Sequence, residues 1–179
     1  MLKKILIAIV VLVIVLAVVI ALRPSDFRYT RTATISAPPS AVFAQVNDLH
    51  KWEAWSPWAK IDPAMKQTYE GAPAGPGASY AWSGNSEAGE GRSTILENRA
   101  DEMIRMKLEF FKPFAATHDV EFTFKPDGAQ TVVTWTMSGK NNFMGRAFGL
   151  FVDCEKMVGG DFERGLASLK AVVEGAPKS

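Results

Sequence analysis

Cysteine, histidine and net charge are all scarce in this chain of 179 residues. Cys154 is the only cysteine, which excludes a disulfide scaffold, and the two histidines, His50 and His118, are far apart in the sequence. A metal centre needs several converging His, Cys, Asp or Glu ligands. No HExxH motif, CxxC motif or glycine-rich phosphate loop is present. The sequence therefore predicts no metal and no other cofactor.

The charges nearly cancel. The chain has 20 Lys and Arg residues against 19 Asp and Glu, and removing Lys3 and Lys4 leaves 18 basic residues against 19 acidic ones after residue 22. Such a balance produces no field that would attract nucleic acid, so no nucleic-acid partner is expected. The mean hydropathy of +0.02 averages two unlike parts of the chain.

Only one long hydrophobic run occurs, which excludes a multi-pass membrane protein. It comprises 18 apolar residues from Ile5 to Leu22, and as a helix it would cover about 27 Å of a hydrocarbon core of roughly 30 Å. A helix is expected because a lone strand in lipid would leave its backbone unpaired. We expect a retained single-pass anchor over residues 1–23 that holds the protein at a membrane. The alternative is a cleaved signal peptide, which has a shorter apolar core and a small-residue cleavage site that Val19-Ile20-Ala21 matches poorly.

The orientation of this anchor follows less directly from the charges. Lys3 and Lys4 precede the apolar run, and Arg23, Arg28 and Arg31 follow it, so the positive-inside rule gives near parity. Because very short basic N-termini usually stay in the cytoplasm, the soluble domain is predicted on the non-cytoplasmic side.

A linker over 24–26, one folded domain over 27–175 and a tail over 176–179 are expected after the anchor. Period-two alternation of apolar and polar residues predicts strands, over 27–35, 66–71, 78–84, 92–98, 103–111, 118–125 and 131–138. Turn-forming residues separate most of these strands. The sequence therefore predicts an α+β fold with a curved antiparallel sheet of seven strands.

Two short helical regions and one long helix complete the prediction. A short helix is expected over 39–47, and the tryptophan-rich segment 49–58 is expected to pack over the edge or mouth of the core. Apolar residues recur every three or four positions from Phe143 to Val173, which predicts one long helix closing the sheet. Gly159-Gly160 interrupts it, and Asp161 would restart it as an N-cap. The glycine pair indicates either close packing or a hinge over a pocket.

Four segments resemble the polyketide cyclase/dehydrase and lipid-transport-like family of the START-like (SRPBCC) superfamily. They are Ile35-Ser-Ala-Pro-Pro-Ser-Ala-Val-Phe43, Val46-Asn-Asp-Leu49 with Trp52 and Trp55-Ser-Pro-Trp58, Gly77-Ala-Ser-Tyr-Ala-Trp-Ser-Gly-Asn85, and Val158-Gly-Gly-Asp-Phe-Glu-Arg-Gly-Leu166. The resemblance covers about residues 27–175 and implies a helix-grip fold with a cavity between sheet and last helix. The family it resembles includes hydrophobic-ligand carriers and aromatase/cyclases. Its members share no catalytic motif.

Large apolar and amphipathic side chains are the main functional clue. Each of them taken singly suits an ordinary core, but together they suit a pocket for a hydrophobic small molecule. The predicted ligand-binding residues are Trp55, Trp58, Tyr80, Trp82, Met106, Phe110, Phe122, Trp135, Met137, Phe143 and Phe148. The hydroxyl of Tyr80, the indoles of Trp82 and Trp135, and Asn142 are the candidate polar contacts.

No catalytic residues are predicted. Single carboxylates and histidines are available for acid–base chemistry, and Glu97 follows Ile95 by two positions, which would place it on the inner face of the sheet. Cys154 is one of the apolar residues that recur every three or four positions from Phe143 to Val173, where a cysteine usually acts as a small hydrophobe. Three functions follow: a membrane-anchored, non-enzymatic domain that binds a lipid-like or polyketide-like molecule, a cyclase- or dehydratase-like enzyme, or a filled-core structural or interaction domain. The sequence predicts the first and leaves the oligomeric state open.

Overall fold

The computed structural model describes residues 1–175, so the predicted tail over 176–179 lies outside the described residues. Its first element is a helix, α1, over Leu2–Leu22, and among its residues only Ile20 is buried. From Ile5 onward this helix is apolar on every side, and it is long enough to cross a membrane, properties that a signal sequence shares. The predicted helix is therefore confirmed.

One antiparallel sheet of seven strands follows, as predicted. Its strands are β1 Asp26–Ile35, β2 Lys66–Gly71, β3 Ala78–Ser83, β4 Glu90–Arg99, β5 Met103–Lys112, β6 Ala116–Asp127 and β7 Gln130–Lys140. Their order is β1-β7-β6-β5-β4-β3-β2, so β2 to β7 form a meander and β1 adds to its far side. The end of α1, the start of β1, the end of β7 and the β5–β6 hairpin consequently share one end of the sheet.

Helices cover one face of this sheet: α2 Pro39–Val46, a 3-10 helix over Leu49–Ala54 and α4 Cys154–Val173. A further short helix, α3 Phe143–Phe148, packs against α1 instead. The short helix and the long closing helix are confirmed, and the tryptophan-rich segment holds the 3-10 helix. The architecture is the expected α+β helix grip, with α3 as an additional short element.

The prediction of one continuous helix from Phe143 is wrong. The chain leaves the helix after Phe148 because α3 turns aside to pack against the end of α1, where Arg146 Nη1 donates to the Ala21 carbonyl at 2.9 Å. A new helix then begins at Cys154, with the side chain of Asp153 accepting from the Lys156 amide at 3.0 Å as its cap.

The glycine pair does not interrupt the closing helix. Helix α4 runs unbroken through Gly159 and Gly160, and Asp161 pairs with Arg164 instead of starting a new helix. A Cβ atom on Gly159 would collide with the guanidinium of Arg31 on β1. The arrangement is that of close packing between helix and sheet, one of the two interpretations that the sequence left open.

The expected inward direction of Glu97 is wrong. A register shift between Ile95 and Glu97 inserts Leu96 as an extra residue of β4, which reverses the alternation beyond it. Ile95 is buried, whereas Glu97 faces outward and pairs with Arg105 at 3.1 Å. This carboxylate therefore does not see the interior.

Candidate ligand-binding site

The sequence-predicted site residues fall into three groups. One group is packed tightly between the middle of the sheet and α4: Trp55, Trp58, Met106, Phe122, Trp135 and Met137. A second group is half-buried on the same face of the sheet, nearer its open side: Tyr80, Trp82 and Phe110. The third, Phe143 and Phe148, is exposed on α3.

The packed group leaves little room at the centre. The ring of Trp135 lies parallel to that of Phe162 from α4, with centroids 4.1 Å apart, and stacks on Phe122 at 4.7 Å on β6. Trp55 is only 1% exposed and meets Trp135 edge to face at 5.8 Å. The tryptophan-rich segment was expected over the edge or mouth of the core, but Trp55 lies inside it because Pro57 and Trp58 bring the loop under α4.

The half-buried group belongs to a longer line of rings, which we call the aromatic row. It crosses the inner face from β2 to β1, and consecutive ring centroids lie 4.8 to 5.9 Å apart. Its members are Tyr69, Tyr80, Trp82, Phe110, His118, Phe27 and Tyr29. All seven are partly exposed, unlike the core beneath α4. An apolar surface this wide, with few polar groups, has the chemistry of a hydrophobic ligand site.

Four members of the row were missed by the sequence prediction. Phe27 and Tyr29 lie on β1, which joins the sheet beside β7 although it is first in the chain. The sequence suggests only acid–base chemistry for His118. In the structure Phe27 contacts its ring edge to face, with centroids 4.9 Å apart, which makes His118 part of the row. Gly139, opposite Phe27, makes room for this contact, because a Cβ there would lie 2.7 Å from His118 Nδ1. The pairing of β1 with β7 is a long-range event with no local sequence signal.

Burial sets the protonation states along the row. It raises the pKa of Tyr80 to about 12, with smaller contributions from Tyr69 and Glu53, so the Tyr80 hydroxyl stays protonated at neutral pH. Burial also lowers the pKa of His118 below its ordinary value of 6.5, against opposing effects of the Thr117 backbone and Asp119. The row is therefore uncharged at pH 7.

Some of the candidate polar groups already form hydrogen bonds within the protein, and others do not. The indole N–H of Trp82 donates to the Ala88 carbonyl at 3.0 Å, and Asn142 caps α3 by accepting from the Gly145 amide at 2.9 Å. The buried N–H of Trp135 has no hydrogen-bond partner among residues 1–175. The Tyr80 hydroxyl thus remains as a group that a ligand would satisfy, whereas the Trp135 N–H lies inside the packed core.

A cleft of about 410 Å³ lies where the end of α1 meets the folded domain. Its lining includes Arg23, Tyr29, Asn141, Arg146 and Phe151. Tyr29 belongs both to this cleft and to the aromatic row, so the row extends toward the end of α1. A smaller cavity of about 160 Å³ lies at the other edge of the sheet, beside Tyr69. Within the described part of the chain, no cluster of three or more His, Cys, Asp or Glu residues is suited to a metal ion.

The curved sheet that grips a closing helix, with aromatic side chains on its inner face, defines a helix-grip protein. Within that class the chain belongs to the polyketide cyclase / dehydrase and lipid transport family, whose model matches residues 26–174. No curated protein matches the sequence.

Solved structures share the fold at low sequence identity. A protein from Thermobifida fusca is 22% identical with a TM-score of 0.61, over 83% of this chain and 93% of its own. One from Chromobacterium violaceum is 18% identical with a TM-score of 0.59, over 87% and 100%. CalU16 from Micromonospora echinospora is 14% identical with a TM-score of 0.55, over 87% and 86%. At these identities the likeness concerns the fold alone.

Proposed function

We propose that this protein binds a lipid-like or polyketide-like small molecule on the aromatic row, without catalysing a reaction, while α1 holds it at a membrane. The observation that carries the proposal is the half-exposed state of seven neighbouring rings in a domain whose central core is fully packed. Covering apolar surface contributes about 25 cal/mol per Å². A hydrophobic molecule lying along the row would supply that cover.

Within the predicted set, we assign the ligand contacts to Tyr80, Trp82 and Phe110. The buried residues Trp55, Phe122 and Trp135 would not touch the ligand and would instead stabilise the curved shape of the sheet. The Tyr80 hydroxyl would bind a carbonyl or carboxylate oxygen, because its raised pKa keeps it a hydrogen-bond donor.

The membrane part of the proposal rests on α1. We propose that it is a retained single-pass anchor and that the domain lies on the non-cytoplasmic side, as the short basic N-terminus favours. Retention is tested by the intact mass of the protein from the membrane fraction, where the uncleaved chain has 19.6 kDa. A smaller product found in solution would support the signal-peptide alternative.

Binding is tested by native mass spectrometry of the full chain extracted in mild detergent, with decanoic acid as the added probe. The wild type is expected to carry a bound molecule, and Phe110→Ala is expected to lose most of it. Phe43→Ala is the matched control, because Phe43 is a half-buried phenyl group that packs on Phe124 from α2, away from the row. Wild-type protein with no adduct at all would favour a filled-core structural domain.

A cyclase- or dehydratase-like enzyme is the second candidate, favoured by His118. Its imidazole lies between Phe27 and Phe110 in the row, and its lowered pKa keeps it neutral and able to accept a proton at pH 7. Under the leading proposal His118→Asn retains ligand binding, and no chemical change in the ligand depends on it. A bound polyketide that the wild type converts and His118→Asn leaves unchanged would establish the enzyme instead.

A further inference from the structure

Helix α3 and the segment that follows it expose a cluster of large apolar side chains. Phe143 is 45% exposed, Met144 53%, Phe148 48% and Phe151 83%. We call these four residues the α3 patch. Single exposed apolar residues are common on soluble domains, but several within nine positions of the chain mark a contact surface.

The position of the α3 patch relative to α1 indicates what it contacts. Helix α3 packs against α1, Ile20 is buried and Ala17 is half-buried, whereas the preceding residues of α1 are exposed. Ala17 lies five residues before Leu22, which corresponds to about 7.5 Å along the helix axis. A helix placed beside this last part of a membrane span lies at the depth of the interface between headgroups and hydrocarbon.

Two arginines form hydrogen bonds between the end of α1 and α3 with its C-terminal cap. Arg146 of α3 donates to the carbonyl of Ala21, and Arg23 donates back to the carbonyl of Gly149, each at 2.9 Å. The pair cross-links the end of α1 to the second half of α3 and to its C-terminal cap. Arginine is suited to the headgroup level, where its charge meets phosphate while its apolar stem lies along hydrocarbon.

From these observations we infer that the α3 patch inserts into the bilayer interface as a second membrane contact beside α1. The occupant of the patch is the lipid of the same membrane, because the patch is continuous with the end of the spanning helix. This inference rests on the anchoring part of the proposed function. Its consequence is a fixed orientation in which the cleft and the Tyr29 end of the aromatic row face the lipid surface, so a membrane-borne molecule would reach the row without crossing water.

The test uses spin labels on the full chain, in phosphatidylcholine vesicles and in a Cys154→Ser background. Met144→Cys and Phe151→Cys report on the patch, and Val13→Cys in the middle of α1 reports on the anchor. Leu96→Cys is the matched control, because Leu96 is 45% exposed on the outer face of β4, toward the other end of the sheet. The measurement is collision of each label with oxygen, which partitions into lipid, and with a polar nickel chelate, which stays in water.

The expected result is loss of nickel collisions and retention of oxygen collisions at Met144, Phe151 and Val13, with full nickel access at Leu96. Nickel access at Phe151 and Met144 while Val13 stays protected would overturn the inference and leave the anchor intact. Exclusion of both reagents at the patch would mean that protein, such as a second copy of the chain, covers it, which also contradicts the inference. Nickel access at Val13 would remove the membrane anchor and the inference together, without affecting the adduct measurement on the aromatic row.

Discussion

Two glycines of α4 are expected to respond oppositely to the same substitution. A Cβ on Gly160 would meet only Arg164 Nη1, at 3.6 Å, which is an ordinary contact. Gly160→Ala is therefore expected to raise the free energy of unfolding by about 0.5–1 kcal/mol, because alanine costs less backbone entropy than glycine in a helix.

Gly165 lies one and a half turns later, against the packed core. A Cβ there would lie 2.8 Å from Trp135 Cζ3 and 2.9 Å from Pro57 Cδ, and both are ring atoms that cannot swing away. Trp135 is itself held between Phe122 and Phe162. Overpacking of this kind costs about 1–3 kcal/mol, and subtracting a helix gain of about 1 kcal/mol leaves Gly165→Ala destabilised by up to about 2 kcal/mol.

Urea unfolding of the full chain in detergent micelles, followed by tryptophan fluorescence, measures both variants against the wild type. With an unchanged dependence on urea concentration, the midpoint should rise for Gly160→Ala and fall for Gly165→Ala. If Gly165→Ala were stabilised as much as Gly160→Ala, the space between the sheet and α4 would be open, and a ligand would have room there instead of on the aromatic row.

Three further predictions concern the core, a buried hydrogen bond and pH. Phe122→Ala should lower the free energy of unfolding by about 3–5 kcal/mol because Phe122 is fully buried, and the same urea assay should show a clearly smaller loss for half-buried Phe110→Ala. Thr131 is fully buried and donates to the Ala37 carbonyl at 2.7 Å, so Thr131→Val should cost about 1–3 kcal/mol by thermal or urea unfolding; an unchanged midpoint would contradict this. The lowered pKa of His118 means that the unfolded chain takes up a proton first as pH falls below 6.5. Stability should therefore fall on acidification, and unfolding curves of His118→Asn across the same pH range should lack that part of the decrease.

Much of the sheet could be predicted because alternation is a local property. The strand from Met103 to Lys112 follows it closely, with Ile104 and Met106 buried and Arg105 exposed. Leu96 departs from this alternation, because an inserted residue reverses the face toward which every later side chain of the strand points. Such an insertion has no distinctive amino-acid composition that the sequence would show. Glu97 consequently appeared to face inward in the sequence and faces outward in the structure.

Helix ends were harder to predict, because the residues whose contacts end a helix can be distant from it in the chain. The apolar spacing from Phe143 to Val173 suits one helix, but α3 is drawn aside by contacts with Ala21 and Arg23, more than a hundred residues earlier. The candidate site shows the same limit. Its β3 and β5 members were predicted from local pattern, whereas Phe27 and Tyr29 join them only through the pairing of the first strand with the last.

We propose that a hydrophobic molecule binds on the aromatic row and not beneath the middle of α4. The indole N–H resonances of the five tryptophans distinguish the two locations directly, since Trp82 lies in the row and Trp135 in the packed core. Titration of the full chain in lipid nanodiscs with decanoic acid should shift the Trp82 resonance progressively and leave that of Trp135 in place. A shift at Trp135 without one at Trp82, or no shift at any tryptophan, would show that the molecule does not bind on the aromatic row.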